Sequence, residues 1–267
     1  MHINGLDFNI QTEGAGTPFV WAHGLMSSVQ VEDALDWFDW NQFPRNIKLV
    51  RYDARGHGKS QPSYRSEDYR WQNLGKDMLA IARTIGAERF IAGGDSMGCA
   101  TSICAAVQSP ERIKALVLVI PPTAWETRAA QGKLYRRFAL MGGLLGGKGL
   151  ANMMSRNMDR MLPAWMIQAE PGRLTGLLPG MSVLKRRTVW NILRGAASAN
   201  LPPRNELAVL VDIPTIILAW VDDPTHPVST AEELHRLLPK SELFIAQGYE
   251  DFKTIPRRLR DFVSRHS

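Results

Sequence analysis

Two stretches of the chain, Ala115 to Ile120 and Thr215 to Trp220, are apolar almost end to end and rich in β-branched or large side chains. A strand with one wet face alternates polar and apolar residues. A run without that alternation must be covered on both faces, and that is how parallel sheets are built. Shorter strand-like runs, Pro18 to Ala22, Lys48 to Tyr52, Arg89 to Gly93 and Glu242 to Ala246, lie between segments of helical periodicity. The helical segments are Trp71 to Ile85, Ser96 to Gln108, Thr230 to Leu238 and Pro256 to Ser264. Strand and helix in alternation predict an α/β fold with a mostly parallel central sheet and helices on both faces. Residues 2 to 12 alternate around Asn4-Gly5, a hairpin signal.

The alternation stops between residues 122 and 204, where helix formers and Gly-Gly pairs replace strands. The expected division is therefore a core of residues 1–121 and 205–267, with 122–204 inserted as a helical cap, or lid, over the C-terminal edge of the sheet. A separate helical domain predicts the same helices but different surfaces. Seven of the eleven methionines fall in this segment (Met141, Met153, Met154, Met158, Met161, Met166 and Met181), as expected of an adaptable apolar roof. It holds thirteen basic residues and three acidic ones, a net +10 within a chain whose total is +6. The basic excess belongs to this segment, and the rest of the chain is acidic. An anionic substrate drawn to it, a lid resting on an anionic surface, or a merely solvated helix face would each produce such a run.

Two cysteines, Cys99 and Cys104, cannot make a disulfide framework and are expected as buried reduced thiols. The N-terminus has no signal-peptide pattern, and no apolar run approaches the length of a membrane span, so a cytoplasmic location is expected. No metal-ligand spacing, cofactor motif or nucleic-acid recognition pattern appears, so no metal, no cofactor and no nucleic-acid partner are expected.

The chemistry concentrates at Gly94-Asp95-Ser96-Met97-Gly98, a G-x-S-x-G between a strand and a helix. A chain that turns abruptly from strand into helix holds its central residue in strained backbone geometry, and flanking glycines permit the close approach this needs. The Ser96 hydroxyl then stands above the sheet at a helix N-terminus. His23-Gly24-Leu25 closes another strand, so the main-chain N–H groups of Leu25 and Met97 are candidate donors to a developing oxyanion. Asp53 to Ser60 is a glycine-containing loop after the next strand.

Together these segments resemble the α/β-hydrolase family, over nearly the whole chain. The resemblance implies an α/β-hydrolase fold with a helical cap, with Ser96 as nucleophile and the Asp53 to Ser60 loop as structural. Capped members include esterases, lactonases, C–C bond hydrolases and thioesterases. The family's acid usually follows the strand read at Thr215 to Trp220, which implies Asp223, with Trp220 where glycine is usual. A second position used by some members would make Glu126 the acid. The family's histidine base follows the last strand, and there this chain reads Gln247-Gly248-Tyr249-Glu250. A tyrosine, with an ordinary pKa near 10, is a poor general base.

Six histidines remain to be sorted. His2 and His266 lie near the termini, His235 sits on a helix, His57 belongs to the glycine loop, and His23 braces the turn. His226 lies three residues past Asp223 in a loop that should overhang Ser96. It is either the relocated base, oriented by Asp223 or Glu126, or a histidine that lines the pocket. Trp125 and Tyr249 are expected to contact substrate. The leading expectation is a serine hydrolase of carboxylic esters or lactones acting through an acyl-enzyme, with a small and possibly anionic substrate. A lyase, isomerase or cofactor-free oxygenase on the same fold, or a ligand-binding protein that has lost its base, are the alternatives.

Overall fold

The computed structural model describes residues 1–157 and 161–267; Met158 of the methionine group, and Asp159 and Arg160 of the charged residues, lie outside the described residues. A short hairpin, β1 (His2–Ile3) and β2 (Leu6–Asp7), turns at Asn4 and Gly5, both with positive φ, as a two-residue hairpin of this type requires. The main sheet contains β3 (Ile10–Glu13), β4 (Thr17–Ala22), β5 (Ile47–Tyr52), β6 (Phe90–Asp95), β7 (Ile113–Val119), β8 (Thr215–Trp220) and β9 (Ser241–Ala246). Seven strands run in the order β3-β5-β4-β6-β7-β8-β9. Only β3 is antiparallel, pairing with β5 at the edge; every other pair is parallel.

Helices cover both faces. They are α1 (Val29–Leu35), α2 (Trp71–Thr84), α3 (Met97–Gln108), α4 (Arg128–Ser155), α5 (Ala164–Ala169), α6 (Leu177–Ser182), α7 (Arg186–Ser198), α8 (Val228–Leu237), α9 (Tyr249–Phe252) and α10 (Ile255–Arg265). The two-residue period of a strand sorts its side chains. Val20, Ala92, Leu116 and Ile217 face Met78 of α2 and Ile103 of α3. Phe19, Trp21, Ile91, Val117 and Leu218 face Leu259 and Phe262 of α10. The unbroken apolar runs at β7 and β8 are thus strands buried from both sides, as expected. Cys99 and Cys104 of α3 are both buried and unpaired.

All chain between β7 and β8 that is described is helical or irregular, without a strand. α4 breaks at Gly146, whose φ of 73° and ψ of 178° lie outside helical space. The helices there share their own small core, in which Leu150, Met181, Val189 and Ile192 pack with Met26 and Tyr69 of the sheet unit. Among the described residues no helix is long and apolar enough to cross a membrane.

The Asp53 to Ser60 loop ties the unit together. Asp53 accepts hydrogen bonds from the Val29 and Lys59 main chain and from the Asn9 amide. The Ala54 N–H donates to His23 Nε2 at 3.0 Å, so His23 braces the turn it belongs to. Arg55 reaches Asp77 of α2 through Nε and Nη2, both at 2.6 Å, with both side chains buried.

Candidate active site

The strand–turn–helix at Gly94 to Gly98 folds as its glycines demand. Ser96 stands between β6 and α3 with φ 51° and ψ −109°, backbone space that an L-residue occupies only when its surroundings enforce it. They do so here through contact too close for side chains. A Cβ on Gly98 would lie 1.8 Å from the Ala22 carbonyl oxygen, and one on Gly94 would lie 2.4 Å from the Gly98 carbonyl carbon. The Ser96 N–H donates to Val119 O at 2.9 Å, anchoring the turn to the neighbouring strand.

The loop after β8 completes the constellation. Asp223 is folded over by its own loop: Oδ1 accepts from the N–H groups of Thr225 and His226 and from the Thr225 hydroxyl, at 2.8–3.1 Å. Oδ2 accepts from Trp220 Nε1 at 3.1 Å and from His226 Nδ1 at 2.9 Å. The tryptophan standing where glycine is usual thus supplies a hydrogen bond to the acid. Ser96 Oγ meets His226 Nε2 at 2.7 Å. With Nδ1–H committed to Asp223, Nε2 carries the lone pair and the serine hydroxyl donates to it. Burial would raise the Asp223 carboxyl, but the His226 imidazole beside it and the hydrogen bonds from His226 and Thr225 hold it below the usual carboxylate range. Ser96, His226 and Asp223 therefore form a continuous hydrogen-bonded relay, with the side chain of Asp223 2% and that of His226 16% exposed.

The other expected residues are placed differently. Glu126 lies on the surface with its side chain 76% exposed, and both its oxygens are taken by Arg204. It cannot orient His226. Trp125 does not line the cavity above Ser96; its indole N–H donates to Pro202 O and its ring lies under the Arg204 guanidinium at 4.5 Å. Tyr249 also lies outside the cavity lining. Its hydroxyl donates to Glu170 Oε1, the same oxygen that Arg173 reaches at 3.1 Å, so the position that usually carries the base joins α9 to the helical segment. Each ring is instead committed to a polar partner that sequence spacing does not reveal. Leu25 lines the cavity. The N–H groups of Leu25 and Met97 have no acceptor among the described residues.

The cavity is about 260 Å³ and is lined largely by apolar side chains, among them Phe138, Leu150, Met154 and Met181 from the helical segment and Trp37 and Phe38 from the sheet unit. Among the described residues no lysine or arginine lines it. Its walls include a feature that sequence reasoning missed, the carboxyls of Glu32 and Asp95. Glu32 is 4% exposed; Oε1 accepts from Trp21 Nε1 at 2.7 Å. Glu32 Oε2 and Asp95 Oδ1 have no hydrogen-bond partner among the described residues, and each carboxyl feels the other. Two buried carboxylates side by side repel each other, so the pair is favoured when one of them holds a proton. Burial, then the neighbouring Asp95, push Glu32 well above the carboxylate range. Burial likewise pushes Asp95 up, to about 6, against the pull of His226. No sequence signal marks this pair, because Glu32 on α1 and Asp95 at the end of β6 lie in separate elements that only the fold brings together.

The sign of the pH effect follows. A carboxyl raised on folding releases its proton first in the unfolded chain, so stability falls as pH rises above the ordinary carboxylate range. Glu32→Gln keeps an acceptor for Trp21 and gains an N–H for Asp95 while removing one buried acid. Thermal melts from about pH 4.5 to about pH 8 should show a shallower decline for Glu32→Gln than for wild type, with the variant more stable at the alkaline end. Each kcal/mol should appear as roughly 2–4 °C in Tm. Parallel curves would contradict a proton-sharing pair.

A family model described as alpha/beta hydrolase fold matches residues 17–162. A proline iminopeptidase of Neisseria gonorrhoeae is 24% identical over 264 residues, an alignment covering 87% of this chain and 82% of that protein. Among solved structures, an esterase from Rhodococcus sp. ECU1013 superposes with a TM-score of 0.77 at 20% identity, covering 100% of both chains. The enol-lactonase from Burkholderia xenovorans LB400 also gives a TM-score of 0.77, at 18% identity over 99% of each chain.

Proposed function

The chain belongs to the alpha/beta hydrolase fold family, and from that premise we propose that it is a serine hydrolase of carboxylic esters or lactones that works through an acyl-enzyme. The observation that carries this reading is the relay from Ser96 Oγ through His226 to Asp223, at 2.7 and 2.9 Å. The relatives include a proline iminopeptidase and a putative carbamate hydrolase, and the solved structures it superposes on include an esterase and an enol-lactonase.

In this reading Ser96 Oγ attacks the substrate carbonyl carbon while its proton passes to His226 Nε2. Asp223 holds the Nδ1 tautomer and stabilises the imidazolium. The carbonyl oxygen, now an oxyanion, is received by the N–H groups of Leu25 and Met97. His226 returns the proton to the leaving alkoxide as the C–O bond breaks, leaving Ser96 acylated. A water then gives its proton to His226 and attacks the acyl carbon; the proton returns to Ser96 Oγ as the acid leaves. In a lactone the leaving alkoxide stays tethered to the acyl group.

Residues 122–204 act as the cap over a core of 1–121 and 205–267, and supply Phe138, Leu150 and Met181 to the cavity. That apolar lining, with acidic Glu32 and Asp95 and no lysine or arginine among the described residues, favours a small neutral substrate over the anionic one that the net charge alone made plausible.

A fluorophosphonate probe tests the reading directly, because it phosphonylates only an activated serine. Wild type should label readily and Ser96→Ala should not label at all. Failure of the wild type to label anywhere between about pH 5 and about pH 9 would overturn it. A panel of p-nitrophenyl esters and lactones then ranks substrates, with short to medium uncharged acyl groups expected ahead of carboxylate-bearing ones.

A further inference from the structure

Opposite in character to the cavity is the outer surface where α4 kinks. Gly146 breaks the helix there, and the Gly147 N–H donates to Leu184 O at 3.1 Å, which pins the kink to the loop between α6 and α7. A Cβ on Gly146 would lie 3.4 Å from Arg186 Cγ. The kink and the loop therefore form one corner of the molecule. Three large aliphatic side chains stand out from it: Leu144 is 72% exposed, Val183 71% and Leu145 54%.

Around them the charge has one sign. Lys148, Lys185 and Arg186 are exposed, and none is in an ion pair among the described residues. α4 and α7 contain no aspartate or glutamate. The net +10 of this segment is thus partly a display of unneutralised cations beside protruding aliphatic groups. Such groups on a soluble domain carry a free-energy penalty unless something covers them. The possible covers differ in chemistry. A second copy docked by two-fold symmetry would set cations against cations, with no carboxylate in the patch to pair them. Nucleic acid would use the cations but gains little from leucine and valine, since bases stack on aromatic faces. An anionic bilayer surface uses both, taking the lysines and arginine at its headgroups and the aliphatic side chains just below them.

We propose that this corner, Leu144, Leu145 and Val183 ringed by Lys148, Lys185 and Arg186, docks the protein on anionic lipid surfaces. The contact is peripheral and leaves the chain water-soluble. It depends on salt through the cations and on acyl-chain access through the aliphatic tip. It also brings the helical segment, which contributes the roof of the cavity, to the phase where apolar substrates accumulate.

Cosedimentation of the full chain with vesicles decides the matter. Vesicles mixing phosphatidylglycerol with phosphatidylcholine should bind the protein at low salt and release it as salt rises, and pure phosphatidylcholine should bind it at least tenfold more weakly. Each of Lys148→Glu, Lys185→Glu and Arg186→Glu should weaken binding to the anionic vesicles roughly fivefold or more. Leu144→Ser with Leu145→Ser should weaken it without changing the net charge. The variants should melt and label at Ser96 as wild type does, since none of these side chains lines the cavity. Absence of binding to the anionic vesicles, equal binding to both lipid compositions, or binding that the variants leave intact would each overturn the proposal. So would variant-sensitive dimerisation in sedimentation velocity, or variant-sensitive binding of a short DNA duplex, in the absence of vesicle binding.

Discussion

His226→Ala should lower kcat by on the order of 10⁴-fold or more and abolish fluorophosphonate labelling, with Tm nearly unchanged. The size follows from what the imidazole contributes at its present position. It accepts from Ser96 Oγ at 2.7 Å and is held by Asp223 at 2.9 Å, so no other group in the relay can take the proton. Asp223→Asn should cost a comparable factor, because an amide that donates towards Nδ1 favours the opposite tautomer and leaves Nε2 protonated. The position after β9 offers a sharper discrimination. Tyr249→His places an imidazole where the family usually has its base, yet that position is turned towards Glu170 and lies outside the cavity lining. Combined with His226→Ala, it should restore nothing. Residual activity in His226→Ala within tenfold of wild type, or recovery in the double variant, would mean that the base lies elsewhere.

The largest stability effect is expected at Asp77→Ala, which should lower unfolding free energy by on the order of 3–5 kcal/mol. Asp77 is 1% exposed and receives two hydrogen bonds at 2.6 Å from Arg55, together with one from Asn4 at 3.0 Å. Without it the Arg55 guanidinium remains buried with only a 3.9 Å contact to Asp68, and a desolvated, uncompensated charge costs far more than the ion pair contributes. At roughly 2–4 °C per kcal/mol, the melting temperature should fall by about 10 °C. Replacing both partners, with Arg55→Met and Asp77→Leu together, should recover a large part of the loss. Chemical denaturation of the two single variants and the double variant measures this; strict additivity would show that the two side chains act independently.

The parts of the fold that were legible are those where covalent geometry and burial act locally. The unbroken apolar runs at β7 and β8 could be nothing but doubly covered strands, and the glycines around Ser96 announce a turn too tight for a Cβ. Asp223 as a candidate acid is legible only through the resemblance to the α/β-hydrolase family, whose acid usually follows this strand. The short helix α1 was not read, since it lies inside a connection and owes its start to the Ser28 side chain accepting from the Val31 N–H. The places of Trp125 and Tyr249 are not legible, because each side chain is held by a polar group distant in sequence, Pro202 O and Glu170 respectively.

Sequence alone determined the fold class, the nucleophile turn and the absence of a histidine from its usual place, because each depends on residue identity over a few adjacent positions. It narrowed the base to His226 by elimination but left open whether the imidazole reaches the serine. Only the tertiary structure decided that, since the distance between Ser96 and His226 depends on how β6 and β8 are spaced across the sheet. The same holds for Glu32 and Asp95: whether two carboxyls share a proton is a matter of a few ångströms across packed elements, and no spacing along the chain encodes it. The net charge was likewise a sequence quantity whose meaning was spatial. The described lysines and arginines of the helical segment stay out of the cavity, and Lys148, Lys185 and Arg186 stand at one outer corner, because burying an unpaired cation costs more than the cavity walls could return.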